Sequence, residues 1–233
     1  MNSQLDVVDF HTHILPGVDH GCDSLETSLR QLKLAKEMGV SRIVLTPHFY
    51  PHVDNPEEYV EKRRAEYEAL VEALSPVADE YPDIRLGCEV LICEGISKLS
   101  QIGELCIKGT KTLLLELPFS DFSKRYIEDV ENLISMGYDV ILAHADRYRP
   151  ENIDMLVEVG AKIQLNADSL CSMFLPMAIK RWLKDESVVA LGSDIHMLNK
   201  TYYKRFLRAM NLLSKKYKNI ITCSDKIWDI TEK

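Results

Sequence analysis

The 233-residue chain reads as a single α/β domain, residues 1–233, in which seven parallel strands alternate with helices and close as a barrel. Three observations predict this. Short apolar runs recur along the chain, with amphipathic, charge-rich stretches between them. Six of those runs end in or just before His, Asp or Glu, and the C-terminal ends of parallel barrel strands converge on one face. The chain is 46% hydrophobic and 27% charged, without a linker, repeat or low-complexity tract, which suits one large core. A doubly wound open sheet is the alternative fold, but it accounts less well for ligand-type residues at nearly every strand end.

The elements follow in chain order. Leu5 to Phe10 is the first strand, and His11 and His13, two residues apart, leave its end on the same face; Asp19 follows in the next loop. Asp23, with Glu26 three residues on, caps a helix that Gly39 ends, with Leu25, Leu29 and Leu32 on its stripe. The strand Ile43 to Pro47 delivers His48. Pro56 to about Asp79 is a charge-rich helix that buries Tyr59, Ala65, Tyr67, Leu70 and Leu74. Strands Ile84 to Cys88 and Leu113 to Leu115 deliver Glu89 and Glu116, and a helix spans Lys124–Ser135. Val140 to Ala143 delivers His144, followed by a helix over Glu151–Val159. Ala161 to Leu165 is a further strand with no ligand assigned. After a helix over Ser172–Lys184, Val188 to Ser193 delivers Asp194, with His196 two residues on, and a last helix covers Tyr202–Lys216.

An isolated H-x-H is about as often a structural pair as a metal site. Here five of the seven histidines stand at strand ends, together with carboxylates, and a metal centre accounts for that placement. The candidate ligands are His11, His13, Asp19, His48, Glu89, Glu116, His144, Asp194 and His196. They are too many for one ion of about four to six positions and suit two or three. Imidazoles mixed with carboxylates favour manganese, iron or zinc over calcium or magnesium. Glu116 is the natural bridge between ions. A phosphoester needs its charge neutralised and a hydroxide generated, which such a cluster supplies. Arg147, just past the His144 strand end, would clamp phosphate, with Lys200 assisting; the bland reading of Arg147 is an ion pair with Asp146. Phe49, Tyr50, Phe119, Phe122 and Tyr148 lie beside these residues as candidate contacts for a phenyl ring, or as ordinary packing.

Other chemistries lack their minimal residues. None of the six cysteines is followed six positions later by arginine, so a thiolate phosphatase loop is absent. There is no G-x-S-x-G, H-E-x-x-H or G-x-x-x-x-G-K-[ST]. The scattered cysteines read as reduced thiols, with Cys22 and Cys88 near proposed ligands in sequence. A net charge of −8 argues against a nucleic-acid or anionic-membrane surface. The first residues lack a signal-peptide pattern and no apolar run spans a bilayer, which leads to the expectation of a cytoplasmic protein without membrane insertion.

The motifs H-x-H-x-L-P-G-x-D (His11 to Asp19), Thr46-Pro47-His48, Glu89, Glu116, His144-Ala145-Asp146-Arg147-Tyr148 and Ser193-Asp194-Ile195-His196 carry a resemblance. The chain resembles the PHP (polymerase and histidinol phosphatase) superfamily, and within it the CpsB/YwqE type, manganese-dependent protein-tyrosine phosphatases of bacterial capsule and exopolysaccharide operons. The resemblance implies a distorted TIM-like (β/α)7 barrel with a three-metal centre, and a phosphotyrosine substrate on a bacterial tyrosine autokinase. It further implies His11, His13, Glu116 and Asp194 around one ion, with His48, Glu89, His144, Asp19 and His196 serving the others. A symmetric homo-oligomer would suit a multimeric kinase, although no residue pattern demands it. Two departures stand out: Asp19-His20-Gly21 replaces the usual Asp-Asp-Gly, and Lys200 stands where an arginine usually follows the Ser-Asp-x-His motif. A histidinol-phosphate-type phosphatase, recruiting His20, Asp23 or Asp121 for a substrate amine, is the first alternative. A catalytically quiet metal-binding module is the second, and an amidohydrolase is disfavoured because Glu116 stands where a bridging lysine is usual.

Overall fold

The computed structural model describes residues 8–119, 122–172, 174–197, 199–217, 220 and 226–228; Leu5 to Val7, Asp121 and Cys223 lie outside them. Nine strands are described: β1 Val8–Thr12, β2 Arg42–Leu45, β3 His48–Phe49, β4 Asp83–Leu86, β5 Glu89–Leu91, β6 Thr112–Glu116, β7 Asp139–Leu142, β8 Lys162–Asn166 and β9 Val188–Gly192. The helices are α1 Leu25–Glu37, α2 Pro56–Leu74, α3 Arg125–Ser135, α4 Pro150–Glu158, α5 Ala167–Leu170, α6 Met177–Lys184 and α7 Lys200–Lys216. Every strand pair is parallel, in the orders β1-β2-β4 and β3-β5-β6-β7-β8-β9.

Seven expected strands thus become nine because two of them break. Pro47 has no N–H for the ladder and separates β2 from β3. Gly87 and Cys88 separate β4 from β5. A Cβ on Gly87 would lie 2.9 Å from Val44 Cγ1, so the two chains approach more closely there than a side chain permits. His48 and Glu89 therefore begin short second strands rather than ending long first ones, and they pair in register. Backbone bonds continue across the breaks: the N–H of Thr46 donates to Thr12 O at 2.8 Å, and the N–H of Glu89 to Pro47 O at 3.0 Å. At the other end of the strand sequence, the N–H of His13 donates to Ile195 O at 3.0 Å and that of Asp194 to His11 O at 2.8 Å.

Alternation along the strands divides the core into two parts. Val8, Phe10, Val44, Leu114, Ile141 and Ala190 form a cluster supplied by strands. The intervening residues Ile43, Leu45, Leu113, Leu115, Val140 and Leu142 pack outward against helix residues such as Leu32, Leu70, Leu133, Leu156, Leu183 and Phe206. Burying such side chains supplies most of the drive to fold, roughly 25 cal/mol per Å² of apolar surface.

Helix boundaries shift in physically readable ways. Ser24, not Asp23, caps α1: its Oγ accepts from the Thr27 N–H, and Thr27 Oγ1 accepts from the Ser24 N–H. Leu25 is exposed, and the buried face of α1 is Ser28, Gln31, Leu32, Leu34 and Ala35. Gly39 ends it, at φ +94°. The α-helix after Pro56 stops at Leu74: Ser75 is still helical, but Pro76 has no N–H to continue the ladder and Val77 leaves helical backbone, within a 3-10 segment over Ser75–Glu80. Ala65 is exposed, whereas Arg63 is buried and donates to Gly87 O at 2.7 Å and to Glu104 O. The helix expected from Ser172 begins at Met177.

Candidate metal centre

Strand ends place the donors. His11 lies in β1 and His13 one residue beyond it, and both are fully buried. His144 and Asp194 follow β7 and β9 with φ of +30° and +53°, a left-handed backbone that side-chain-bearing residues seldom adopt. The N–H of His144 donates to Gln164 Oε1 at 2.7 Å, and that of Asp194 to His11 O, so the turns are held from neighbouring strands. Gly192 is required beside them, since a Cβ there would lie 2.4 Å from His11 Cβ.

Eight of the nine expected ligands are brought together. Donor atoms within 4.8 Å of one another form four overlapping groups: His13, His48 and His196; His11, Glu89 and His144; His11, His13 and Asp194; and His48, Glu89 and Glu116. Glu89 Oε2 lies 3.1 Å from His11 Nε2, 3.3 Å from His13 Nε2 and 3.0 Å from His48 Nδ1. Glu89 Oε1 lies 2.7 Å from His144 Nε2. Glu89, rather than Glu116, is thus the carboxylate shared between groups. It starts β5 at the buried centre, while Glu116 lies 3.5 Å from His144 and 3.8 Å from His48. The expected foursome of His11, His13, Glu116 and Asp194 is found without Glu116.

Asp19 stands behind the cluster. Its Oδ2 accepts from His13 Nδ1 at 2.7 Å and from the His48 N–H at 3.0 Å, and its Oδ1 from the Gly21 N–H at 2.8 Å. Lys200, the first residue of α7, lines a surface groove with Leu29, Arg30, Lys33 and Tyr81, in which none of the donors takes part. Arg147 is at the rim, its guanidinium donating to Asp194 Oδ2, whose partner Oδ1 lies 3.3 Å from His13 Nε2. Asp146 instead accepts from the Asn166 N–H at 2.8 Å, so the bland pairing of Arg147 with Asp146 is not the one formed. Cys22 and Cys88 belong to no donor group. The Cys88 thiol, pushed up to about 11 by burial, lies 3.2 Å from Tyr59 Oη.

β8, the strand with no ligand-type residue at its end, supplies further partners. Gln164 Oε1 lies 3.1 Å from His11 Nδ1, and its Nε2 donates to Leu165 O and Asn166 Oδ1; Asn166 Nδ2 in turn donates to Asp194 Oδ2. The alternating polar residues of Lys162-Ile163-Gln164-Leu165-Asn166 were the available signal. His20 was likewise given no ligand role, yet its ring lies 4.9 Å from that of His48 and 4.6 Å from that of His196.

The donor chemistry fits metal ions. Asp19 and Gln164 accept from Nδ1 of His13 and His11, which leaves both Nε2 lone pairs facing inward, 3.1 Å apart. Glu89 Oε2 and His48 Nδ1, 3.0 Å apart, are both buried and neither makes a well-aligned hydrogen bond. Cations compensate such convergent lone pairs. In the metal-free chain, protons take that part. Burial pulls His144 down, but hydrogen bonds to Glu116 and Glu89 prevail and raise it to about 9. Burial likewise opposes charge on His13, yet Asp19, Asp194 and Glu89 hold it well above the usual imidazole value. Burial and the neighbouring His13 lower His196 to about 4, so it is neutral at physiological pH.

Residues 7–227 match the family model for capsular polysaccharide synthesis, CpsB/CapC. The chain is 29% identical over 225 residues to the tyrosine-protein phosphatase YwqE of Bacillus subtilis, covering 91% of this chain and 85% of that protein. It is 23% identical over 227 residues to the tyrosine-protein phosphatase CpsB of Streptococcus pneumoniae, covering 91% of each. Its fold superposes with a TM-score of 0.75, at 23% identity and with 93% and 90% of the two chains covered, on a crystal structure from work on YwqE and CpsB described as metal-dependent tyrosine phosphatases. Together with a strand-end donor cluster that the motifs anticipated, the match over nearly the whole length places this chain in the CpsB/CapC family of capsular polysaccharide synthesis proteins.

Proposed function

We propose that the chain is a metal-dependent protein-tyrosine phosphatase acting on a phosphorylated bacterial tyrosine autokinase of capsule or exopolysaccharide synthesis, in the cytoplasm. The observation that carries this reading is the convergence of His11, His13, His48, Glu89, Glu116, His144, Asp194 and His196, with Arg147 at its rim, in a member of this family. Two or three divalent ions would occupy the cluster, manganese first, with iron or zinc as alternatives, as a mixed imidazole–carboxylate set suggests. Bound there, they would lower the pKa of water and neutralise phosphate charge.

The residues themselves do the positioning. Asp19 and Gln164 fix the ring orientation of His13 and His11. Arg147, 41% exposed and permanently charged, offers its remaining N–H groups to phosphoryl oxygens. Tyr148 lies 5.6 Å from the His144 ring and 5.8 Å from that of Phe119, which is exposed, so these two aromatics flank the approach to the site. Phe49 is core, packed on Tyr59, and Phe122 packs on Tyr126; Tyr50 lies against His48.

In the same reading the domain is a single distorted (β/α)7 barrel of PHP type. A cluster built from strand residues and the bonds joining β1 to the segment after β9 support closure. Among the described residues no helix is long and apolar enough to cross a membrane.

The test is hydrolysis of a phosphotyrosine peptide against histidinol phosphate, with manganese and then with chelator. Chelator-sensitive turnover selective for the peptide is expected. Preference for histidinol phosphate would transfer the site to small-molecule chemistry.

A further inference from the structure

A groove of about 790 Å³ begins at Arg147 and Tyr148, which contact Asp194 and the His144 ring, and runs past Phe119 to Lys124 and Arg149. Three of its lining residues are cationic, and none of the described ones carries a carboxylate, although the chain bears a net charge of −8. Arg147 is engaged by Asp194. Lys124 and Arg149 have no side-chain hydrogen bond or ion pair among the described residues, whereas the adjacent Arg125 is paired with Glu94 at 2.5 Å. Both stand at helix starts, Lys124 before α3 and Arg149 before α4. Phe119 is 76% exposed, an apolar surface left uncovered at the mouth of the site.

Resting on the phosphatase reading above, we infer that this groove selects phosphotyrosine peptides with acidic residues beside the phosphotyrosine. The phosphate would meet Arg147 and the donor cluster, and the phenyl ring would lie against the paired rings of Tyr148 and Phe119. Flanking Asp or Glu side chains would then reach Lys124 and Arg149. Charge complementarity chooses this occupant: among the described lining residues an amine-bearing small phosphoester would meet three cations and no carboxylate. Nucleic acid would meet a strongly acidic protein outside this groove.

The experiment compares kcat/KM for three substrates with manganese present: a phosphotyrosine peptide with acidic flanks, the same peptide with neutral flanks, and p-nitrophenyl phosphate. The acidic peptide is expected to lead the neutral one on the order of three- to tenfold, since rim charges each contribute modestly, and the lead should shrink with added salt. In the double variant Lys124→Glu, Arg149→Glu the lead should vanish or reverse, with p-nitrophenyl phosphate turnover unchanged. The variant Lys124→Arg, Arg149→Lys should keep it. Equal rates for the two peptides in the wild-type protein, with p-nitrophenyl phosphate still hydrolysed, would overturn the groove assignment and leave the phosphatase reading standing. Inhibition of peptide turnover by a single-stranded oligonucleotide that the double charge reversal relieves would also overturn it, in favour of a nucleic-acid groove. Failure on all three substrates would instead bring down the phosphatase reading, and this inference with it.

Discussion

Asp19 Oδ2 and His13 Nδ1 are 2.7 Å apart, and this bond leaves Nε2 as the His13 nitrogen that faces Glu89 and Asp194. The carboxyl of Asp19 is resisted by burial but held well below the usual range by His13 and by N–H donors from Gly21 and His48. It aligns the cluster from behind, as a metal-bound imidazole requires of its outer partner. Asp19→Asn should therefore weaken manganese binding by roughly ten- to a hundredfold without abolishing it. Titration of the metal-stripped variant measures this. Unchanged affinity would mean that His13 is oriented by its other contacts.

Arg147 shares Asp194 with the cluster but is no donor to a cation. Arg147→Ala should keep its ions while kcat falls about a hundred- to a thousandfold, the range for a lost charge-stabilising donor. Arg147→Lys should recover part of the rate, because an ammonium neutralises charge but lacks the fork. Metal analysis alongside kinetics separates the cases. Loss of ions from the alanine variant would make Arg147 a positioning residue for Asp194.

Gln164 accepts from the strained His144 backbone and from His11 Nδ1 with one oxygen. Gln164→Leu strands buried donors, so the metal-free protein should lose about 1–3 kcal/mol of stability. Urea unfolding with chelator present tests this. A midpoint within error of the parent would show that the turn at His144 holds without it.

The metal-free protein should also carry a signature in pH. His144 is raised from 6.5 to about 9 and His13 lies well above its ordinary value, so the folded state binds more protons than the unfolded state in this window. Their contribution is fully present below pH 6.5 and is lost as pH rises through about 9. Metal affinity should climb across the same window, because ions displace those protons. Urea midpoints at the two ends give the first result and metal titrations the second. A flat stability profile would contradict the proton-held cluster.

The strand-end motifs were legible because chemistry and topology coincide in them: an apolar run followed by His or Glu announces both a buried strand and its functional end. What escaped the sequence was geometry across strands. Pro47 and Gly87 are local breakers of the two runs, but nothing local shows that the breaks set His48 opposite Glu89 in register. The central place of Glu89 over Glu116 depends on that break. Asp19 reads as a ligand from composition, and only the folded loop shows its oxygens already engaged by N–H groups. Lys200 shows the same limit, since a cation soon after Asp194 and His196 in sequence lines the α1 groove in space. Gln164 and Asn166 were visible as an alternation, but amides mark outer partners less sharply than histidines mark ligands. Ser24 displaced Asp23 as a cap because Thr27 completes a reciprocal hydroxyl pair.

Phosphate release from a phosphotyrosine peptide should be followed in chelator-treated protein as manganese is added back, with bound ions counted in the same samples. The cluster of converging donors predicts no turnover in the stripped protein and recovery as two or three ions per chain are bound. Undiminished turnover by the stripped protein, or full occupancy without phosphate release, would contradict it.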